Sequence, residues 1–64
     1  MMLSKELKDR ERDILKLMAQ GLTNRQIGKS LYLARETVRW YNKQIYSKLG
    51  VHNRTHAVTR AQEL

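Results

Sequence analysis

The chain has no cysteine and no proline. Without cysteine it can form neither a disulfide staple nor a thiolate metal site. Without proline, long periodic segments are free to continue as helices. No apolar run approaches the length that crosses a bilayer, and Met1-Met2-Leu3-Ser4-Lys5 is not followed by the apolar stretch of a signal peptide. No membrane association and a soluble, cytoplasmic chain are the expectation. Internal repeats and low-complexity segments are absent as well. The sets that carry catalysis are also missing: there is no Ser/His/Asp arrangement, no phosphate-cradling glycine loop and no metal cluster. His52 and His56 are four apart, a spacing that can share a metal, but His52 lies in a linker and no third ligand accompanies them. No enzyme, no metal and no cofactor are therefore expected.

What is present is positive charge on a small frame. Sixty-four residues make one domain, over 1–64, with thirteen Lys and Arg against six Asp and Glu, a formal net charge of +7. A chain this short buries only about 60% of the surface it exposes when unfolded, so its stability is modest. The excess charge attracts a polyanion in a salt-dependent way, though charge alone serves solubility equally well. Its placement on the chain decides between the two.

Apolar periodicity predicts an all-α chain with helices over about 9–20, 24–31, 35–49 and 54–64. Leu7, Ile14, Leu15 and Met18 form the apolar side of the first, and Gly21 is its stop. Lys8 is a poor cap, with Asp9 or Ser4 as alternatives. Thr23 with Gln26 fits a capping box for the second helix, whose buried side is Ile27 and Leu31. Gly28 inside that helix predicts close approach of the next helix across it. Tyr32-Leu33-Ala34 is a tight connection with Leu33 dipping into the core. Two short helices so joined make a helix-turn-helix. The third helix ends near Gly50, Val51 packs inward, and Asn53 caps the fourth.

The third helix has two faces. At about 100° per residue, Val38, Tyr41, Ile45 and Leu49 fall in one arc. Glu36, Arg39, Trp40, Lys43 and Ser47 fall opposite. Arg39 and Lys43 lie one turn apart, where long cations reach guanine acceptors or phosphates in the major groove. Trp40 points with them, able to cover base edges or thymine methyls; the competing placement is a core residue rotated inward. Glu36 can accept from a cytosine amino group or simply be solvated. Glu11 lies within about 60° of Ile14 on the apolar side of the first helix, so its carboxylate needs a cation, from Lys48 or Arg54, as a structural ion pair. Arg54 and Thr55 open the fourth helix, where Arg54 can hold a phosphate or pair with Glu11, but not easily both.

In order along the chain, Leu7-Lys8-Asp9-Arg10-Glu11-Arg12-Asp13-Ile14-Leu15, Gly21-Leu22-Thr23-Asn24-Arg25-Gln26-Ile27, Thr37-Val38-Arg39, Ile45-Tyr46-Ser47-Lys48-Leu49-Gly50-Val51 and Asn53-Arg54-Thr55 with Ala57-Val58 resemble the LuxR-type helix-turn-helix domain. Arg39 to Tyr46 resembles the branch found in large multidomain activators with an ATP-binding module. The resemblance implies a four-helix bundle that binds double-stranded DNA as a homodimer, regulates transcription and uses its third helix for recognition. It implies base contacts from Arg39, Trp40 and Lys43, and backbone contacts from Thr23, Asn24, Arg35 and Thr37. RNA polymerase is a further partner compatible with that role. The fourth helix supplies the dimer contact in such domains; here Ala57, Ala61 and Leu64 align on one side of it, a stripe that could instead cover the first helix. The sequence departs from the family pattern at Lys8 and Ala34, where capping Thr and Ser are usual, at Tyr41, where His is common, and at Asn42, where the core side is usually apolar. No sensor region accompanies the domain, so an output module of a longer regulator, or a stand-alone version, is the expectation. The competing function is a helical protein-interaction module that docks Trp40 and its basic face on an acidic partner.

Overall fold

Ile14, Met18, Ile27, Val38 and Ile45 are sealed from solvent, with Leu15, Val51 and Ala57 nearly or wholly buried beside them. Each Ile, Leu, Val or Met among them stabilises the fold by roughly 1.5–3 kcal/mol relative to exposure, and the single methyl of Ala57 by less. Apart from Val51, in the connection before the last helix, they come from all four helices of the computed structural model, which describes residues 7–63. The helices are α1 (Asp9–Ala19), α2 (Asn24–Leu31), α3 (Arg35–Leu49) and α4 (Arg54–Gln62). All regular structure among the described residues is helical, and no helix there is long and apolar enough to cross a membrane. α3 is the central element. It packs on α2 in the helix-turn-helix and on both α1 and α4, which also pack on each other.

The helix ends follow local chemistry. Lys8 is the N-cap residue of α1; its backbone N–H donates to Glu11 Oε1 at 2.8 Å, while its ammonium has no acceptor to return. Asp9 is already helical, and Ser4 lies outside the described residues. The expected end at residue 20 shortens to Ala19, with Gln20 as the cap and Gly21 at φ +95° turning the chain. Thr23 and Gln26 form the full reciprocal box: Gln26 N–H donates to Thr23 Oγ1 at 3.2 Å, and Thr23 N–H to Gln26 Oε1 at 2.8 Å. Asn53 Oδ1 accepts from the His56 N–H at 2.9 Å and starts α4. Ala34 offers α3 no side-chain cap. α4 ends at Gln62, short of the expected 64, and Leu64 lies outside the described residues.

Gly28 is needed for a reason other than the one its position implied. A Cβ there would sit 2.5 Å from the Leu33 carbonyl oxygen, whereas Val38 of α3 would be at an ordinary 3.6 Å. The turn itself, not the next helix, fills that space, because Leu33 N–H folds back to the Gly28 carbonyl at 2.8 Å. Closing the turn this tightly places Tyr32 in the left-handed region at φ 60°, with its side chain exposed.

Candidate nucleic-acid interface

α3 turns one flank to the core and the other to solvent. Val38, Asn42 and Ile45 are buried, with Tyr41 and Leu49 half-buried beside them. Arg35, Glu36, Arg39, Trp40, Lys43 and Ser47 are all exposed. Trp40 is 57% exposed, which discards the inward placement. Its ring meets the half-buried Tyr41 ring edge-on, with centroids 5.2 Å apart and planes at 76°. The edge-to-face contact steadies the indole while leaving most of its surface in water, an unfavourable exposure unless a partner covers it.

The cations of this face are nearly unpaired. Arg39 reaches Glu36 at 3.6 Å across an i,i+3 step, both well exposed. Such a surface pair contributes little and yields readily to a phosphate or base acceptor. Arg35 and Lys43 have no ion pair among the described residues. Thr37 is half-buried at the N-terminal end of α3, and Thr23 and Asn24 sit at the start of α2. Arg35, Arg39 and Lys43 thus project from the exposed flank of α3.

The remaining singled-out residues serve the bundle. Glu11, 4% exposed, accepts from Lys48 Nζ at 2.8 Å. Burial pushes its carboxyl pKa up, but the Lys48 hydrogen bond, the Lys8 backbone N–H and the two ammonium charges outweigh that and hold it below the ordinary value. Arg54 does not pair with Glu11. Its guanidinium donates to the Leu22 carbonyl in the α1–α2 loop and ties α4 to that loop, a bond that uses one of its five N–H donors. Close by, burial raises the Tyr46 phenol pKa, opposed by the charge of Arg54. Arg60 does the same job at the other end, donating to the Leu49 carbonyl at 3.2 Å, where α3 ends.

The dimer stripe needs correction. Ala57 is 0% exposed, a core residue with no surface to offer a second copy, and Ala61 is half-buried against the same core. The small residues of α4 let it lie close to α1 within one chain. Leu64 lies outside the described residues. His52 and His56 are both exposed, and no cluster of three metal-ligating side chains occurs among the described residues.

Two features escaped the sequence. Tyr32, 95% exposed, is held outward by its left-handed backbone. A three-residue turn without Gly or Asn was the available signal, since one of its members had to take that conformation. The second is a link between α3 and α2: Asn42 Nδ2 donates to Asn24 Oδ1 at 2.8 Å. Asn42 announced a need for a partner, but nothing in a linear pattern identifies a residue eighteen positions away.

Residues 5–61 match the family described as bacterial regulatory proteins, luxR family. The chain is 45% identical over 58 residues to the DNA-binding transcriptional activator DevR/DosR of Mycobacterium tuberculosis, covering 91% of this chain and 27% of that protein. It is 42% identical over 57 residues to the transcriptional regulatory protein DesR of Bacillus subtilis, covering 89% of this chain and 29% of DesR. The crystal structure of ChrA, the response regulator of a heme-sensing two-component system, superposes with a TM-score of 0.89 at 44% identity, over 97% of this chain and 31% of ChrA. The chain thus spans between a quarter and a third of the length of these relatives. With an exposed cationic flank on α3 and a match running through all four helices, the chain belongs to the luxR family of bacterial regulatory proteins.

Proposed function

We propose that this chain is the sequence-specific, double-stranded-DNA-binding output domain of a transcription regulator, acting in the cytoplasm and not as an enzyme. The observation that carries the reading is Trp40, 57% exposed between Arg39 and Lys43 on the flank of α3 that faces away from the core. α3 enters the major groove. Arg39 and Lys43 read base edges, Trp40 covers apolar edges, and Glu36 either accepts from a cytosine or releases Arg39. Thr23, Asn24, Arg35 and Thr37 hold phosphates and set the register. Two copies bind an inverted repeat, and RNA polymerase is the further partner when the regulator acts. With Ala57 inside the core, the dimer contact falls to the exposed side of α4, with Ala61 at its edge.

The experiment is selection of bound duplexes from a random pool, followed by binding of Arg39→Ala and Lys43→Ala. Each substitution is expected to lower specific affinity by about 1–3 kcal/mol and to relax base preference. Equal losses on selected and random DNA would show that these residues do not read bases. Binding should also fall steeply with salt; a flat response would point to Trp40 docking on an acidic protein instead.

A further inference from the structure

We propose that Asn42 is a positioning residue for the DNA-backbone contact: from inside the bundle it fixes the side-chain amide of Asn24 so that its NH2 end, not its carbonyl, faces a phosphate. The inference rests on the DNA-binding reading above and deepens it. Asn42 is 7% exposed on the core flank of α3. Its Nδ2 donates to Asn24 Oδ1 at 2.8 Å, while its own Oδ1, fully buried, has no partner. An orphaned buried acceptor costs stability, and an apolar side chain at this position would avoid that cost. The amide is retained at a stability disadvantage.

What the link does follows from amide chemistry. Asn24 is the first helical residue of α2, and its side chain is half-buried. An asparagine amide has an acceptor at one end and a donor pair at the other. With Oδ1 drawn inward to Asn42, Nδ2 turns outward at a helix N-terminus, where free backbone N–H groups already favour an anion. Phosphate oxygens only accept, so this orientation suits them. Turning both amides over would pair Asn42 Oδ1 with Asn24 Nδ2. That state buries the Asn42 NH2 without a partner and presents a carbonyl to the phosphate, so it loses at both ends. The observed orientation leaves only one acceptor unpaired. Because the bond joins α3 to α2, it also ties the base-reading helix to the phosphate-holding helix end.

The test measures binding of Asn24→Ala, Asn42→Leu and the double variant, in the full chain, to a duplex recovered by selection and to a random duplex. Asn42→Leu is expected to weaken binding to both duplexes by about tenfold or more, as loss of a charge-assisted hydrogen bond does. Asn24→Ala should do the same, and the double variant should be no weaker than either. The Asn42→Leu melting temperature should equal or exceed the parent's. Parent-like binding by Asn42→Leu, or additive losses in the double variant, overturns the proposal. If the leucine variant does not fold, side-chain amide resonances of the parent decide: those of Asn24 should shift on duplex addition while those of Asn42 stay protected from exchange, and an unmoved Asn24 amide overturns it. Lys43→Ala serves as the separate control. Losses there with parent-like Asn42→Leu binding sink this proposal alone; no loss there and no salt dependence sink the DNA-binding reading beneath it.

Discussion

The cations on α4 and at the C-terminal end of α3 are engaged; those along the rest of α3 are not. Lys48 neutralises buried Glu11, Arg54 donates to the Leu22 carbonyl and Arg60 to the Leu49 carbonyl. Arg35 and Lys43 have no ion pair among the described residues, and Arg39 has one exposed glutamate at 3.6 Å. The starts of these two helices differ as well. Asn53 caps α4, while Ala34, behind a strained Tyr32, precedes α3 without a side-chain cap. The bundle engages its cations where elements meet and leaves those on one flank of α3 largely free. Net charge alone therefore misrepresents the molecule, because part of the +7 is internal fastening.

The contrast can be broken from either side. The largest effect should come from Lys48→Met, which leaves Glu11 buried without its cation. We expect a stability loss of about 3 kcal/mol by thermal or denaturant unfolding, with base preference unchanged in the folded fraction. Next, Arg39→Ala and Lys43→Ala, worth about 1–3 kcal/mol in specific DNA affinity, should leave the melting temperature where it was. If either one lowers stability as Lys48→Met does, the division between fastening and reading cations fails. Smaller gains should follow from repairing the turn: Tyr32→Gly relieves left-handed strain and Ala34→Ser supplies a cap, each adding about 1 kcal/mol of stability.

Acid sharpens the same comparison. Because the Glu11 carboxyl titrates below its ordinary value of 4.5 in the fold, its contribution is complete above that value. It is lost as pH falls through the lower folded value. Stability measured downward from pH 6 should drop over that window, and Lys48→Met should flatten the drop. An identical acid limb in both proteins would show that another group controls it.

How much was legible varies by element. The start of α2 followed from Thr23 and Gln26, since a capping box is a local arrangement spanning three residue steps. The outward flank of α3 followed from periodicity, because a helix of fifteen residues with buried Val38 and Ile45 has one possible solvent side. α4 was harder. Its alanines are small enough to face a second copy or its own bundle, and only packing against α1 reveals that Ala57 is core. Arg54 was undecidable for a similar reason: a long flexible cation reaches several acceptors, and which one lies near depends on loop placement. The reason for Gly28 was misassigned because the close neighbour is a backbone carbonyl, which no side-chain pattern reports.

The sequence by itself determined the four helices, the caps of α2 and α4, most of the core-facing residues and the cationic flank, because these depend on contacts within one or two turns. Tertiary structure alone decided the partners across the bundle: Lys48 for Glu11, Leu22 for Arg54 and Asn24 for Asn42. Those pairings join residues from different elements, and their geometry exists only once the helices are packed at fixed distances and angles.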